Sequence, residues 1–391
     1  MSDQLASTAW AGDFWRDRPV LITGHTGFKG AWLALWLQSL GARVSGLALE
    51  PPTRPSLFER ADVAAGMAHR LGDIRDRGAV AATLATERPQ VVLHLAAQSL
   101  VRESYQDPLA TFEINVIGTA NVLEAARLHN LSTDAPDRIR AIVVVTSDKC
   151  YENHEQLQGY RETDPLGGFD PYSASKGCAE IVTASLRRSF AQVDGAPAIA
   201  SARAGNVIGG GDWAKDRLVP DAFNAFEAGA PLVIRNPHAI RPWQHVLEPL
   251  AGYLMLAERL CERGDEFAEA WNFGPDPDSE KTVGEVSDKL VGYWRGGAQW
   301  RSDSTPQPHE AGFLKLDSSK ARARLGWRPR LSLDEALRMS VDWRRAAAAA
   351  SPAALRDLTL AQIDDYCRGS SHALPETHTS TRTAAPGVLL S

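Results

Sequence analysis

A glycine-rich segment after the first predicted strand constrains the fold more than any other feature of the chain. Residues 18–23 are typical of a buried strand, residues 24–30 are Gly-His-Thr-Gly-Phe-Lys-Gly, and residues 31–40 predict a helix. In such a unit one glycine makes the turn, another lets backbone amides approach a pyrophosphate, and the helix N-terminus favours negative charge. The alternative is a glycine-rich turn without a ligand, but the flanking strand and helix favour dinucleotide binding.

Strand and helix patterns continue to alternate after this unit, with strands predicted at 43–47, 91–98, 140–146 and 198–203. Such alternation predicts an α/β fold, a Rossmann-type doubly wound parallel sheet. From Gly205 the chain becomes glycine-rich and polar before helices and short strands resume. We therefore expect a smaller C-terminal substrate-binding lobe that is interleaved with the sheet.

These patterns divide the chain into three predicted regions. Residues 15–204 are expected to form the NAD-binding domain, with its sheet completed by later segments, and residues 205–366 mainly the substrate-binding lobe. Residues 369–391 are rich in Ser, Thr, His and Pro. Because this segment has too little apolar content to form a core, it predicts a disordered tail.

A second feature lies at the carboxyl end of the apolar, β-branched run 140–146, where ligands bind in open α/β sheets. Ser147 follows this strand, and residues 170–171 (Asp-Pro) are typical of a helix start, which places Tyr172 and Lys176 one turn apart on one helix face. An ammonium near a phenol stabilises the phenolate, so the pair is a candidate general base. Tyr-x-x-x-Lys alone is a weak signal, but the serine and the glycine loop together favour catalysis.

Composition excludes several other classes of function. The net charge of the 391-residue chain is -6 and its Lys and Arg residues are interspersed with acids, so no basic surface for nucleic acid is predicted. The four cysteines lie far apart, without metal-ligand or disulfide-scaffold spacing. No apolar run is long enough to span a bilayer, and the first residues lack a signal-peptide pattern. We expect a cytoplasmic protein without a metal.

The sequence predicts that a dinucleotide binds more clearly than it distinguishes NAD from NADP. The second strand is expected to end in an acid that binds the ribose hydroxyls, but Ala48 lies there and Glu50 is the nearest carboxylate. NAD is the first expectation, and NADP stays open because Arg54 or Lys29 has the charge to meet a 2′-phosphate. Asp73, after the third strand, is either an adenine contact or a helix cap.

Two buried polar residues have a structural and a functional interpretation. His94 lies within an apolar run and is predicted to be a core histidine rather than a catalyst. Asn115 lies on a mostly apolar helix face, within residues 108–129. It either anchors the backbone of the active strand, contacts the cofactor or serves as a buried structural amide.

With these motifs together, the chain resembles the extended short-chain dehydrogenase/reductase family of NAD-dependent epimerases and dehydratases. Within it, the chain is similar to the sugar-nucleotide 4,6-dehydratases that act on CDP-glucose. The similarity is carried by four runs, at 24–30, 146–153, 203–218 and 240–246. It covers about residues 15–366.

The resemblance implies a role for each catalytic residue. Ser147, Tyr172 and Lys176 would oxidise C4 of the glucosyl group, and the oxidised sugar would then lose water across C5 and C6. Related dTDP-glucose enzymes have Asp-Glu as acid and base, whereas this chain has Asp148 and Lys149. Asp148 is then the expected acid. Lys149 either removes the C5 proton, if burial and nearby cations keep it neutral, or only polarises the sugar while water or another residue is the base.

The resemblance also implies the ligand-binding residues and the partners. We expect CDP-glucose as substrate, a homodimer or homotetramer, and a role in deoxysugar biosynthesis for polysaccharide. The expected cofactor-binding residues are Gly24, Thr26, Gly27, Phe28, Lys29, Gly30, Asp73, Ile74, Leu95, Ala96, Ala97, Tyr172 and Lys176. The expected substrate-binding residues are Gln98, Arg102, Asn206, Lys215, Arg217, Leu218, Arg235 and Arg241, with Arg235 and Arg241 as candidates for the diphosphate.

Two alternatives stay open from sequence alone. A nucleotide-sugar 4-epimerase of the same family also oxidises C4 but needs no acid and base for C5 and C6, so Asp148 and Lys149 argue against it. A non-catalytic nucleotide-sugar or NAD-binding regulator has the same fold, and the intact Ser147, Tyr172 and Lys176 argue against that. The fold alone does not decide among these functions.

Overall fold

The computed structural model describes residues 13–303 and 312–369. The predicted disordered tail lies, from residue 370 onward, outside the described residues. The strands are β1 (Pro19–Thr23), β2 (Arg43–Ala48), β3 (Ala68–Leu71), β4 (Val91–His94), β5 (Ala141–Val145), β6 (Ala198–Ala204), β7 (Val207–Ile208), β8 (Leu232–Ile234), β9 (Ile240–Pro242), β10 (Gln244–His245), β11 (Ala270–Phe273), β12 (Glu280–Thr282) and β13 (Trp300–Ser302).

Helices follow most of the strands of the first half and dominate the second half. They are α1 (Phe28–Ser39), α2 (Leu57–Arg60), α3 (Arg77–Glu87), α4 (Val101–Gln106), α5 (Pro108–Phe112), α6 (Thr119–Leu131), α7 (Pro171–Phe190), α8 (Leu218–Glu227), α9 (Leu247–Arg263), α10 (Val283–Trp294), α11 (Leu333–Ala347) and α12 (Pro352–Arg368). A π-helical segment, Glu113–Gly118, joins α5 to α6. The helix predicted at 108–129 is therefore continuous but widened in its middle.

The predicted doubly wound parallel sheet is confirmed. Its seven strands have the order β11-β6-β5-β4-β1-β2-β3, and every pair is parallel. The chain turns from one half of the sheet to the other between β1 and β4, where Thr23 pairs with His94. Such a reversal opens a crevice at the carboxyl ends of the strands, so the loops after β1, β4 and β5 converge on one edge.

Both faces of the sheet are covered by apolar layers, as a parallel sheet requires. One layer contains α1, α9 and α12, with Trp32, Trp36 and Trp343 fully buried among them. The other layer contains α3 and α6. Because β11 is a strand of the sheet and α9 packs on β5 and β6, segments after residue 205 complete the layers built by the first half.

A third apolar cluster lies apart from the sheet. It joins α8, α10 and α11 to β8, with Phe223, Trp243 and Leu337 buried at its centre. Short two-stranded sheets, β8 with β13 and β9 with β12, frame this cluster. It therefore forms a separate wall beyond the carboxyl edge of the main sheet.

A buried ion pair connects α7 to the sheet. The Glu180 carboxylate and the Arg203 guanidinium of β6 are 2.8 Å apart, and each side chain is 3% exposed. Ser201 donates to Glu180 at 2.6 Å, and Thr146 also donates to Glu180. Burial raises the pKa of Glu180, but the Arg203 charge and these hydrogen bonds outweigh it and leave the pKa below its usual value. The pair therefore stays ionised and holds α7 in register with β5 and β6.

We expect Arg203→Met to destabilise the fold by about 3–5 kcal/mol, because it leaves the Glu180 charge buried without its partner. Urea unfolding followed by tryptophan fluorescence measures this difference. The matched control is Arg259→Met, which breaks an exposed pair with Glu262 whose side chains are 45% and 47% exposed. The control is expected to change stability by less than about 1 kcal/mol. Equal effects of the two substitutions would contradict the importance of the buried pair.

Candidate active site

A cleft of about 540 Å³ lies between the carboxyl edge of the sheet and the third apolar cluster. It brings together all five candidate catalytic residues, Ser147, Asp148, Lys149, Tyr172 and Lys176. The candidate ligand-binding residues that line it are Phe28, Lys29, Leu95, Ala97, Arg102, Asn206, Arg217, Leu218, Arg235 and Arg241.

Tyr172 and Lys176 reach the cleft because α7 begins just before them. Asp170 caps the helix by accepting from the Ser173 amide at 2.9 Å, and Pro171 occupies the first turn. Tyr172 and Lys176 are both buried, and the Lys176 ammonium lies 6.0 Å from the centre of the Tyr172 ring. The predicted helix start is confirmed, and the two side chains lie together on one face.

Burial has the largest effect on the pKa values of Tyr172 and Lys176. It raises the pKa of Tyr172 to about 12, against the opposing effect of a hydrogen bond with Ser147. It also lowers the pKa of Lys176 to about 8, although the Glu180 charge partly opposes this. From sequence the pair is a candidate general base near neutral pH, whereas burial by itself favours the neutral phenol of Tyr172. Additional positive charge in the cleft would be needed to lower its pKa.

The segment after β5 forms a tight turn that holds Ser147 and Asp148. The Ser147 hydroxyl donates to Asp148 Oδ1 at 2.9 Å and accepts from the Lys149 amide at 3.2 Å. Burial raises the pKa of Asp148, while the charges of Lys149 and Arg241 oppose the increase. Asp148 Oδ2 is buried and has no hydrogen-bond partner among the described residues. A buried carboxyl with a raised pKa and an unpartnered oxygen is suited to donate a proton.

Lys149 and Arg241 lie in environments that differ from those expected from the sequence. Lys149 is half-buried at the edge of the cleft rather than enclosed. Arg241 is buried, donates to the Ile240 carbonyl oxygen at 2.9 Å, and acts electrostatically on Asp148. The structure therefore places Arg241 beside the candidate acid.

The loop after β1 has the close contacts of a dinucleotide cradle. A Cβ on Gly24, whose φ is +78°, would lie 2.7 Å from the Ala96 nitrogen, and a Cβ on Gly30 would lie 2.2 Å from the Gly24 carbonyl oxygen. The N-terminus of α1 has no side-chain cap and no acid in its first turn, while Thr26 donates to the Leu49 carbonyl oxygen at 2.9 Å. Uncapped amides at a helix N-terminus bind phosphate oxygens. The loop, with Gly27 at the helix start, therefore fits a dinucleotide pyrophosphate.

The residues expected to bind the adenosine part of the cofactor lie after the ends of β2 and β3. Asp73 pairs with Arg75 at 2.7 Å, and hydrogen bonds from Arg75 lower the pKa of this carboxyl. Ile74 is buried next to Gly118 of the π-helical segment. Glu50 is exposed two residues after β2 ends. Asp73 thus lies at the end of β3 as a charged, partly exposed group.

Two residues expected to bind substrate do not line the cleft. The Gln98 side chain donates to the Leu100 carbonyl oxygen and to Thr111, each at 3.0 Å, and also accepts from the Leu100 amide. Its polar atoms are thus engaged by its own loop and by α5. Lys215 is exposed outside the cleft. Nothing in the sequence pattern distinguishes these residues from their neighbours that do line it.

Acidic residues in the cleft were not among the residues singled out from the sequence. Asp212 accepts from Arg217 at 3.0 Å, Asp216 lies 2.8 Å from Arg235, and Asp221 also lines the cleft. Their spacing near Arg217 is visible in the sequence and was the available signal. The run was used for the family resemblance and for its basic residues, but its acids were not assigned a role.

Both buried polar residues have structural roles. His94 is a core histidine, as predicted, because it hydrogen-bonds with Thr23 at 2.6 Å and Thr119 at 3.0 Å. Asn115, in the π-helical segment, donates to the Gln98 carbonyl oxygen at 3.0 Å and to Ser175 at 2.8 Å. Asn115 thereby anchors the loop after β4 to α7, which is the role of a buried structural amide rather than of an anchor for the backbone of the active strand β5.

Comparison with known proteins agrees with this arrangement. The model of the GDP-mannose 4,6 dehydratase family matches residues 21–340 of this chain. The chain belongs to the GDP-mannose 4,6 dehydratase family. Membership confirms the resemblance to sugar-nucleotide 4,6-dehydratases that the four sequence runs predicted.

Individual relatives match over most of their length. CDP-glucose 4,6-dehydratase of Salmonella typhimurium is 50% identical over 342 residues, which are 85% of this chain and 92% of that protein. dTDP-glucose 4,6-dehydratase of Xanthomonas campestris is 28% identical, over 83% of this chain and 92% of that protein. The similarity to the Salmonella protein is thus well above that to the dTDP-glucose enzyme.

Solved structures share the fold. UDP-glucose 4-epimerase of Thermus thermophilus, in complex with NAD, superposes with a TM-score of 0.71 at 24% identity and covers 84% of this chain and 99% of its own. dTDP-glucose 4,6-dehydratase of Streptomyces venezuelae, with NAD and TYD bound, has a TM-score of 0.70 at 23% identity and covers 83% and 96%. At this identity the likeness concerns the fold.

Among residues 13–303 and 312–369, no helix has the length and apolar character needed to cross a membrane.

Proposed function

We propose that this chain is an NAD-dependent hydro-lyase that converts CDP-glucose to CDP-4-keto-6-deoxyglucose. The observation that carries the proposal is the single cleft in which Asp148 and Lys149 lie beside Ser147, Tyr172 and Lys176. The 50% identity to the Salmonella protein named CDP-glucose 4,6-dehydratase supports the choice of sugar and nucleotide.

The cofactor proposal is NAD, supported by the cradle between β1 and α1. Gly24, Gly27 and Gly30 permit the close backbone approach, and the uncapped amides of α1 are the donors for the diphosphate. Lys29 lies in the same cleft, where burial and the charges of Lys176 and Arg217 lower its pKa to about 7. Solved structures of the same fold are described as complexes with NAD. NAD held in this cradle would supply a hydride acceptor for C4 of the sugar and, in its reduced form, a hydride donor for C6.

In the first step Tyr172 accepts the proton of the 4-hydroxyl group, with Ser147 as its hydrogen-bond partner. The Tyr172 phenol has a pKa of about 12 in the free chain. The positive charge of Lys176 favours the phenolate, and the charge of a bound oxidised nicotinamide would favour it further. Tyr172 is thus suited to take the proton as the ketone forms.

In the second step the chain removes water from the oxidised sugar. The 4-ketone acidifies the C5 proton, and Lys149 removes it at the edge of the cleft in its neutral form, becoming the ammonium. Asp148, whose pKa is raised by burial, protonates the departing 6-hydroxyl group through its unpartnered Oδ2. The third apolar cluster, centred on Phe223, Trp243 and Leu337, forms the substrate-binding lobe that encloses the sugar.

Two other functions make different predictions. A 4-epimerase of the same fold needs no proton donor beside C6, whereas Asp148 has a raised pKa and an oxygen without a partner at that place. A non-catalytic binding protein needs no buried Tyr172 and Lys176 next to Ser147. Both alternatives are separable from the proposal by the mass of the product.

We expect the purified chain, given NAD and CDP-glucose in deuterated water, to release a product that has lost one water and gained deuterium at C5. Mass spectrometry of parallel incubations with CDP-, dTDP-, UDP- and GDP-hexoses measures this. Reaction with CDP-glucose alone would support the nucleotide choice. A product of unchanged mass would indicate an epimerase, and binding without turnover would indicate a regulator.

We expect Lys149→Met to reduce NAD in the presence of CDP-glucose but to lower product formation by about 100-fold or more, because the C5 proton has no base. Single-turnover absorbance of the reduced nicotinamide, followed with product release, separates the two steps. Tyr172→Phe is the matched control because it removes the earlier proton acceptor and should abolish the absorbance change as well. Undiminished product from Lys149→Met would exclude Lys149 as the base.

We also propose that the chain forms a homo-oligomer, a dimer or tetramer, in the cytoplasm. The described cysteines are all free thiols, as a reducing compartment permits. Large apolar side chains are exposed on α5, the π-helical segment, α6 and α7, and a second copy of the chain would bury them together. They are Leu109, Ile117, Leu128 and Ile181, which are 74%, 55%, 45% and 57% exposed.

We expect Ile181→Glu to dissociate the oligomer, because the carboxylate would be desolvated in an apolar interface. Light scattering coupled to size-exclusion chromatography measures the mass. Leu157→Glu is the control, since Leu157 is 78% exposed outside these helices. Equal masses for the wild type and Ile181→Glu would contradict this interface.

A further inference from the structure

One carboxylate bridges two arginines across the cleft. Asp216 Oδ1 lies 2.8 Å from Arg235 Nη1 and 3.4 Å from Arg102 Nε. Arg102 belongs to α4, on the sheet side, whereas Arg235 directly follows β8, on the side of the third apolar cluster. A single anionic oxygen thus binds guanidinium groups from the two walls, as an oxygen of a phosphate does.

The bridge lies inside the cleft rather than on the outer surface. Arg102, Asp216 and Arg235 all line the cleft, and their side chains are 36%, 37% and 25% exposed. Partly exposed ion pairs of this kind are weak enough to exchange partners. The carboxylate therefore holds the two guanidiniums without binding them tightly.

The surroundings of Asp216 contain further carboxylates. Asp212 and Asp221 line the same cleft, and Asp212 is already paired with Arg217 at 3.0 Å. Burial raises the pKa of Asp221 to about 6, and the charges of Asp216 and Asp212 add to this effect. An anion that enters this part of the cleft therefore meets carboxylate repulsion in addition to guanidinium attraction.

We propose that Asp216 is an internal competitor of the substrate's diphosphate. Its carboxylate occupies the fork between Arg102 and Arg235 in the free chain, and the diphosphate displaces it when the nucleotide sugar binds. The competition lowers the affinity for free nucleotide diphosphates as well as for substrate, so product leaves more easily. This inference rests on the proposed function, because it takes a nucleoside diphosphate as the ligand.

If Asp216 had only a supporting role, its removal would change the affinity for the diphosphate in the opposite direction. If Asp216 only positions the two guanidiniums, its removal disorders them and weakens binding. If it competes, its removal frees them and tightens binding. Asn is the suitable replacement because Asp216 has φ +61°, a left-handed conformation that Asn tolerates well.

We expect Asp216→Asn to bind CDP about three- to ten-fold more tightly than the wild type, the effect of releasing weak, partly exposed ion pairs. Isothermal titration calorimetry of the full chain with saturating NAD measures the dissociation constant. Asp216→Glu keeps the charge and should bind CDP as the wild type does. Asp194→Asn is the matched charge control, because Asp194 is 97% exposed and pairs with Arg138.

The outcomes separate the inference from the proposed function. Tighter binding by Asp216→Asn alone, with a lower KM for CDP-glucose and no gain in kcat, supports the competition. Unchanged or weaker binding by Asp216→Asn, in a chain whose wild type binds CDP and converts CDP-glucose, overturns it and leaves the proposed function intact. If the wild type neither binds CDP nor converts CDP-glucose, the proposed function itself fails, and the inference fails with it.

Discussion

The rest of the site depends on the buried carboxylate of Glu180. It accepts hydrogen bonds from Thr146 and Ser201 and forms an ion pair with Arg203, so it binds α7 to the ends of two neighbouring strands. Lys176 lies one turn before Glu180 on α7, and Ser147 directly follows Thr146. Because an unpaired charge is very unfavourable in a core, α7 has little freedom to rotate or slide. The relative positions of the catalytic residues follow from this constraint.

The same burial that holds the helix in place also sets the protonation states in the cleft. Removing water raises the pKa of Asp148 and Tyr172 and lowers the pKa of Lys176. Burial therefore favours the neutral phenol of Tyr172 and the protonated form of Asp148. This is the state needed for an acid, but not yet for a base, so ligand charge is part of the active arrangement.

The positive groups at the two ends of the cleft differ in whether a carboxylate is already bound to them. Near the sheet, uncapped amides at the start of α1 provide positive potential with little competing acid. Near the third apolar cluster, the guanidiniums of Arg217 and Arg235 are already paired with Asp212 and Asp216. Under the competition proposed above, an anion that binds Arg235 displaces a carboxylate, whereas an anion at the start of α1 meets no side-chain cap there.

Sequence by itself determined the parallel sheet, the glycine loop of residues 24–30 and the start of α7, because these depend on local periodicity, turn chemistry and capping. Only the tertiary structure decided which polar groups reach the cleft. Gln98 turns into its own loop, Arg241 lies beside Asp148, and Asp216 bridges arginines far from it in sequence. Side-chain pairing and desolvation depend on neighbours brought together by folding, and no pattern within one segment contains that information.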